Sequence, residues 1–353
     1  MYPVSKHKTL KLLAFGLLVM LSSNCAAQMS STARPHHTPD GFRNLYGYER
    51  HGFSDFLKWR WQRLWQNRPE PESYAFPLAE NDPAFLRLNT DKITLTWIGH
   101  ATLLLQLDGK NILTDPVYSQ RTSPVQWAGP KRVVPPGLAF ENLPPIDMVV
   151  ISHDHYDALD KPTILNLYQR EGGADTVFFV PLGFKDWFHD LGIRNVVELD
   201  WWEAYSQNGL TVTAVPVQHW SKRSLFSRNK TLWAGWVLRS EQFQFFFCGD
   251  SGYAPYFKEI GARMGPFDLA AIPIGAYEPR WFMRRHHLNP EEALQVHEDI
   301  KAKKSIGIHW GTFILTDEPL DEPPQRLGAA LKQKKNPAPD FTVLKHGETL
   351  VLD

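Results

Sequence analysis

Histidine and aspartate residues follow apolar runs at four separate points of the sequence. The four segments are, in chain order, ISHDHYD, PVQHW, FFFCGDSG and GIHWG. Apolar runs of this length are typical of buried strands, and the loops that such strands present commonly carry catalytic and binding residues. Imidazole and carboxylate ligands suit zinc, and three protein ligands with one open position are typical of a catalytic site. The four segments therefore predict a catalytic metal centre.

The first segment has a spacing that brings its metal-binding side chains together. In an extended segment alternate side chains point the same way, so His153 and His155 face one side and Asp154 faces the other. The chain then turns, which allows Asp157 to approach the same centre. The predicted metal ligands are His153, His155, Asp157, His219, Asp250 and His309.

The composition is that of a globular protein without a global charge. Of 353 residues 43% are hydrophobic, so the chain can bury a sizeable core. It has 38 basic and 38 acidic residues, and we therefore expect no nucleic-acid partner.

The N-terminus has the features of an export signal. Three lysines precede the apolar run LLAFGLLVML, and the small and polar residues SSNCAAQ follow it. We predict a signal peptide at 1–28 and a protein exported to the periplasm or outer membrane. Cys25 also resembles the acceptor of a bacterial lipoprotein, although Asn24 before it is atypical, so lipidation stays open.

Residues 29–91 are predicted to form a linker followed by an amphipathic segment. The stretch DFLKWRWQRLWQ has apolar residues at 56, 57, 61, 64 and 65, which is helical spacing, with basic residues between them. Such a helix can pack on the main body of the protein, or it can contact a membrane surface.

From residue 92 to residue 353 the pattern is that of a single α/β domain. Strand-like runs come in two sets, each accompanied by helices, which predicts two packed sheets with helices outside. The stretch NPEEALQVHEDIKA is predicted to be a helix with Asn289 as its N-cap. The last segment, DFTVLKHGETLVLD, is predicted to be a terminal hairpin.

Several motifs together resemble a known family. The strings SHDHYDALD, VQHWSKR, FCGDSGY, HHLNPEEALQVHEDI and IHWGTF occur in the order of the metallo-β-lactamase superfamily. Within it they look most like the branch of N-acylphosphatidylethanolamine-hydrolysing phospholipase D, over roughly residues 42 to 330. The resemblance implies the αβ/βα four-layer sandwich of that superfamily.

The resemblance also implies two zinc sites that share Asp250. The first would be formed by His153, His155, His219 and Asp250. The second would be formed by Asp157, Asp250 and His309.

The family motif has a further histidine directly after the aspartate, where this sequence has Ala158. Three protein ligands with water still make a workable catalytic site. We therefore expect a functional centre with one or two zinc ions, in which the second ion is weaker. Asp160 is a candidate substitute ligand, and a mononuclear enzyme is the main alternative.

Other residues are assigned roles around the metals. By the resemblance, Asp250 would orient the attacking hydroxide and His287 would contact the substrate phosphate. His100 and Asp115 match the early strands of the family and are predicted to support ligands and not to bind metal.

Tyr156 is predicted to pack beside the metal loop. The segment GAYEPRWFMRR, which contains Tyr277, is a candidate wall of an acyl-binding groove or, equally, a surface loop.

The leading hypothesis is a zinc phosphodiesterase of phospholipase D type, acting on an N-acylphosphatidylethanolamine-like phospholipid at a membrane surface. Hydrolysis of another ester, a lactone or an amide is the first alternative. A non-catalytic envelope protein with a degenerate second metal site is the other. Family members include dimers, so a homodimer is compatible with this assignment.

Overall fold

The computed structural model describes residues 34–47, 52–65, 74–334 and 339–352. The predicted signal peptide, including Cys25, lies outside the described residues. The chain divides into two units, residues 1–37 and residues 38–353. In the described part of the first unit, the backbone N–H of His37 donates to the carbonyl oxygen of Arg34 at 2.9 Å. The domain boundary at residue 92 stays a prediction.

Two seven-stranded sheets follow two short strands, β1 (His37–Thr38) and β2 (Gly41–Phe42). The strands of the first sheet are β3 (Ile93–Gly99), β4 (Thr102–Leu107), β5 (Lys110–Thr114), β6 (Met148–Val150), β7 (Val177–Pro181), β8 (Val196–Leu199) and β16 (Thr349–Leu352). Their spatial order is β16-β3-β4-β5-β6-β7-β8. The pairs from β16 to β5 are antiparallel, and those from β5 to β8 are parallel.

The second sheet repeats this arrangement. Its strands are β9 (Ala204–Gln207), β10 (Leu210–Val215), β11 (Gly235–Arg239), β12 (Gln244–Phe247), β13 (Phe267–Pro273), β14 (Ala302–Ile308) and β15 (Asp340–Thr342). Their order is β15-β14-β13-β12-β11-β10-β9, with antiparallel pairs from β9 to β12 and parallel pairs from β12 to β15.

The helices are α1 (Phe53–Arg63), α2 (Pro83–Leu88), α3 (Lys161–Gln169), α4 (Lys185–Asp190), α5 (Tyr256–Arg263), α6 (Arg280–Met283), α7 (Pro290–Asp299) and α8 (Glu322–Lys332). As predicted, Asn289 caps α7: its side chain accepts from the N–H of Glu292 at 2.9 Å. Among the residues that the structure describes, no helix is both long enough and apolar enough to cross a membrane.

Strand β4 shows why the fold has four layers. Leu103 and Leu105 lie in the core between the sheets, together with Trp236 and Phe246 of the second sheet. Leu104 points the other way, into a second apolar cluster that contains side chains of α3 and α4. Since side chains alternate along a strand, three consecutive leucines require both faces of the sheet to be covered. The protein is an αβ/βα sandwich, and the predicted fold class is confirmed.

The predicted terminal hairpin is wrong. Strand β15 pairs with β14 in the second sheet, with Phe341 opposite Ser305. Strand β16 pairs with β3 in the first sheet, with Leu350 opposite Leu95. Local alternation identifies both strands but not their partners, and each completes the open edge of a different sheet.

Helix α1 is present as predicted, but the residue that packs is a different one. Trp59 is buried, stacks on Phe282 with ring centroids 5.3 Å apart, and donates from Nε1 to Asp317 at 2.7 Å. The apolar side chains that the spacing selected are exposed. Their exposed fractions run from 41% to 76% for Phe56, Leu57, Trp61, Leu64 and Trp65.

Candidate metal centre and active site

The ends of four strands converge as the sequence predicted. His153 and His155 follow β6 of the first sheet, and His219, Asp250 and His309 follow β10, β12 and β14 of the second. The site therefore lies where the two sheets meet, and neither sheet could form it alone.

Three histidines make the first group of donor atoms. One ring nitrogen from each of His153, His155 and His219 lies within 4.8 Å of the others. The distance between His219 Nε2 and His155 Nδ1 is 3.2 Å. The Nε2 atoms of His153 and His155 are buried and have no hydrogen-bond partner.

A second group consists of His100, Asp157 and His309, whose donor atoms also lie within 4.8 Å of one another. Asp157 Oδ2 is 3.2 Å from His100 Nε2 and 3.5 Å from His309 Nε2. The rings of His100 and His309 have centroids 3.9 Å apart. His100 was predicted to support a ligand, and the structure places it in direct contact with Asp157.

Asp250 lies between the two groups and turns one oxygen towards each. Its Oδ1 is 3.0 Å from His309 Nε2 in the second group. Its Oδ2 is 3.7 Å from His153 Nε2 and 3.9 Å from His219 Nε2 in the first. This is the position that a carboxylate bridging two metals requires.

Two hydrogen bonds orient the histidines of the first group. The Ser152 hydroxyl donates to Asp115 Oδ2 and lies 2.8 Å from His153 Nδ1, so Asp115, Ser152 and His153 form a chain. His219 Nδ1 donates to the carbonyl oxygen of His286 at 3.0 Å. Fixing the second nitrogen of a ligating imidazole sets the tautomer and aims the first nitrogen at the metal.

Burial and charge set the protonation of these groups. Burial, reinforced by neighbouring imidazoles, lowers the pKa of His153 to about 3 and that of His219 well below its usual range. Burial alone would raise the pKa of Asp250, but the charge and hydrogen bond of His309 hold it well below its usual range. Burial would lower the pKa of His309, but Asp250 and Asp157 raise it to about 10. Neutral imidazoles and ionised carboxylates are the forms that bind metal, so His309, which Asp250 and Asp157 hold protonated, would release its proton when a metal binds.

The residues present fit a metal centre. The Nε2 atoms of His153 and His155 are buried without hydrogen-bond partners, which costs free energy unless a cation accepts their lone pairs. Asp157 and Asp250 are two carboxylates close to one imidazole, and buried carboxylates need compensating positive charge. The donor set of nitrogen and oxygen atoms suits a divalent transition metal.

His287 lies beside the metal groups. Its Nδ1 is 4.0 Å from Asp250 Oδ2 and has no hydrogen-bond partner, and its side chain retains 14% exposure. Arg280 holds the backbone here by donating to the His287 carbonyl oxygen at 3.0 Å and by pairing with Glu292 at 2.7 Å. His287 is therefore available to a substrate.

A cavity of about 500 Å³ opens onto the centre. Its walls include His155, Asp157, Asp250 and His287 of the centre. Its apolar walls are Phe56, Trp59, Phe282, Met283 and Leu315, and its cationic walls are Lys222 and Arg228. The volume is that of a typical small-molecule site.

Three sequence candidates point elsewhere. Tyr156 donates to the carbonyl oxygen of Arg223 at 2.8 Å, which ties the metal loop to the next segment. The buried Tyr277 donates to Glu322 on α8 at 2.7 Å and is turned from the cavity that its neighbour Ala276 lines. Asp160 accepts from Ser119 at 2.8 Å and from Thr163, so it is engaged away from the metal groups.

Sequence reasoning missed several residues of the site. Ser152 and the His286 carbonyl orient ligands, and Lys222 and Arg228 bring positive charge to the cavity. The position of Ser152 directly before the first histidine was a usable signal. The other contacts depend on loops that meet only in the folded chain.

Comparison with known proteins agrees with this geometry. The model of the beta-lactamase superfamily domain matches residues 110–310. The chain is 47% identical over 243 residues to N-acyl-phosphatidylethanolamine-hydrolyzing phospholipase D 1 of Caenorhabditis elegans, covering 66% of this chain and 68% of that protein. It is 40% identical over 102 residues to outer membrane protein RomA of Klebsiella pneumoniae, covering 29% and 75%. A metallo hydrolase from the archaeon Ignicoccus hospitalis superposes with a TM-score of 0.56 at 20% identity, covering 74% and 99%.

The superposition shows the fold, and the family match and the relatives show the lineage. A metal-dependent hydrolase agrees with the site, in which the Asp250 carboxylate lies between two groups of candidate metal ligands. The prediction of an enzyme is therefore confirmed over the non-catalytic alternative. The chain belongs to the metallo-β-lactamase superfamily, with N-acylphosphatidylethanolamine-hydrolysing phospholipase D enzymes among its homologues, and it is a metal-dependent hydrolase.

Proposed function

We propose that this protein is a zinc-dependent phospholipase D that hydrolyses N-acylphosphatidylethanolamine-like phospholipids. The observation that carries the proposal is the composition of the cavity, where apolar and cationic walls meet beside the metal groups. A phospholipid offers the matching chemistry, since its acyl chains are apolar and its phosphodiester is anionic. The name of the relative from Caenorhabditis elegans supports the same substrate class.

The apolar walls and the cationic walls of the cavity suit two different parts of the substrate. Phe56, Trp59 and Phe282 offer an apolar surface to acyl chains. Lys222 and Arg228 supply positive charge for the phosphate. The Arg228 guanidinium is positioned by the Trp220 ring, whose centroid lies 4.6 Å away.

The reaction is hydrolysis at phosphorus. The oxygen of a water molecule bonds to phosphorus, the bond from phosphorus to the ethanolamine oxygen breaks, and a proton from the water ends on that oxygen. The products are phosphatidic acid and an N-acylethanolamine. Zinc ions held by the two groups would supply Lewis acidity, which lowers the pKa of water and stabilises charge on the phosphate oxygens.

The protein's own residues orient the reactants. Asp250, which its surroundings keep ionised, accepts a hydrogen bond from the attacking water and aligns it. His287, with Nδ1 4.0 Å from Asp250 and lining the cavity, contacts the phosphate. The apolar walls of the cavity limit access of bulk water to the reacting phosphorus.

We further propose that the enzyme works at a membrane surface outside the cytoplasm. Leu57, Trp61, Leu64 and Trp65 are exposed on and just after α1, whose Phe56 and Trp59 line the cavity. Exposed aromatic and aliphatic side chains between basic residues suit the interface of a bilayer. The match to RomA supports an envelope location, and dimerisation stays a prediction.

The test is a lipid assay with the purified, zinc-loaded chain. We expect N-acylphosphatidylethanolamine in vesicles to yield phosphatidic acid and N-acylethanolamine, with the oxygen of ¹⁸O-labelled water in the phosphatidic acid. Asp250→Asn is the inactive control. Turnover of a lactone or amide panel, with no release from the phospholipid, would replace this substrate class with the alternative.

A further inference from the structure

The second group of donor atoms contains a residue that has no assigned metal role. His100 follows β3 in the first sheet, whereas His309 follows β14 in the second. The side chain of His100 is buried, and its Nε2 is directed at Asp157 Oδ2 at 3.2 Å.

We propose that His100 is a metal ligand and completes the second metal site, in the place left open by Ala158. The proposal rests on the metal centre of the proposed function but not on its substrate. The second site then has four protein ligands, His100, Asp157, His309 and Asp250.

Three of the six distances between these four donor atoms match the spacing of ligands around one ion. Two ligands at about 2.0–2.1 Å from a tetrahedral zinc are separated by about 3.3 Å. In the second group the separations are 3.2 Å for His100 to Asp157, 3.5 Å for Asp157 to His309 and 3.0 Å for His309 to Asp250. Each is close to the edge of such a tetrahedron.

The backbone is arranged to bring His100 to this point. His100 has φ +54° and His309 has φ +63°. These left-handed backbone conformations are energetically unfavourable for residues other than glycine. The His309 N–H donates to the His100 carbonyl oxygen at 2.9 Å, and Thr312 Oγ1 accepts from the His100 N–H at 2.8 Å. Strained backbone of this kind persists only where the surroundings hold it, and it clusters at functional sites.

The other candidates for the open position are less well placed. Asp160 is engaged with Ser119 and Thr163. His287 approaches Asp250 on the oxygen that faces the first group, and its donor atom groups with that of His219. Ala158 itself is buried and carries no donor.

One rival role for His100 is to orient Asp157 by a hydrogen bond without touching the metal. His100→Gln separates the two roles, because an amide can donate to Asp157 but is a poor zinc ligand. His100→Ala removes both functions. His297→Gln is the matched control, since His297 is also buried but bonds Ser305 at 2.7 Å and belongs to neither donor group.

The measurement is zinc content by elemental analysis after dialysis against a fixed free-zinc concentration. We expect about two zinc ions per chain in the wild type and His297→Gln, and about one in both His100 variants. Two ions in His100→Gln would assign the orienting role and overturn the proposal. One ion in the wild type would overturn it as well.

A crystal structure of the zinc-loaded wild type tests the same proposal and does not depend on whether the His100 variants fold. We expect two anomalous peaks, one of them about 2.0–2.1 Å from His100 Nε2. A second peak at hydrogen-bond distance or farther would exclude His100 as a ligand. Because neither measurement involves lipid, an inactive lipid assay with these results would contradict only the substrate class.

Discussion

The N–H of His309 donates to the carbonyl oxygen of His100 across the junction of the two sheets, at 2.9 Å. This bond joins the end of β14 to the end of β3, and it places the two imidazoles 3.9 Å apart. The second half of the metal centre is therefore a product of sheet packing.

Replacing the bridging carboxylate should affect both metals. Asp250→Asn removes the charge shared between His309 on one side and His153 and His219 on the other. We expect metal affinity to fall by more than about 100-fold, which is the upper end for residues that only orient a ligand. Competition with a chelator measures it, and Asp268→Asn, at a surface ion pair with Lys303, is the control. Unchanged affinity would remove Asp250 from the metal centre.

Ser152→Ala should act on the first metal alone. The change breaks the chain from Asp115 through Ser152 to His153, while the second group keeps its contacts. Losing such an orienting partner lowers metal affinity by about 10- to 100-fold. Chelator titration should show one weakened site and one unchanged, whereas the exposed Ser206→Ala should show two unchanged sites. Equal weakening of both sites would contradict the separation into two groups.

Ala158→His should leave the zinc content at about two ions per chain, because His100 already occupies the position that a histidine at 158 would serve. The same substitution in a His100→Ala background should restore a lost second ion if the buried site admits the ring. Elemental analysis checks both variants. A rise from one ion to two in the single variant would mean that the wild-type second site lacks a ligand.

Acid sensitivity should depend on His346. Burial, together with the charges of Arg132 and His100, lowers the pKa of His346 to about 3 from its usual 6.5. As the pH falls from about 6.5 towards about 3, His346 becomes protonated in the unfolded chain but stays neutral in the folded protein, so the free energy of unfolding decreases. The contribution of neutral, buried His346 to stability is therefore complete above pH 6.5 and is lost as the pH falls towards about 3.

The variant His346→Gln should lose this dependence. Over that range its free energy of unfolding should fall less steeply than that of the wild type, by up to about 1.4 kcal/mol per pH unit. Urea unfolding of the metal-free proteins at several pH values measures the two slopes. Equal slopes would mean that His346 is protonated in the folded protein as readily as in the unfolded chain.

Membrane binding should depend on the exposed side chains at α1. Trp61→Ser with Trp65→Ser removes two side chains that are 64% and 76% exposed. Since burying a large apolar side chain contributes on the order of 1.5–3 kcal/mol, we expect vesicle binding to fall at least about tenfold. Trp127→Ser is the matched control, because Trp127 is 82% exposed on another segment. Equal losses in both proteins, measured by vesicle sedimentation, would point to a non-specific effect.

The sequence alone predicted the architecture and most of the candidate metal ligands. Runs such as MVV of β6 and FFF of β12 are apolar on both faces, so they had to be buried strands, and the chemistry-bearing residues follow them directly. Local periodicity also located α7 and its Asn289 cap. Strands, helices and helix caps depend on residues that are close together in the chain, so a single sequence is enough to predict them.

Only the tertiary structure decided how distant segments meet. It separated β15 and β16 into different sheets, since a strand pattern does not specify its partner. It buried Trp59 and exposed Trp61, because the packing face of a short helix depends on what lies beside it. It also brought His100, which follows β3, to Asp157, which follows β6 and lies 57 residues further along the chain, because the strand order of the first sheet is not written in any local pattern.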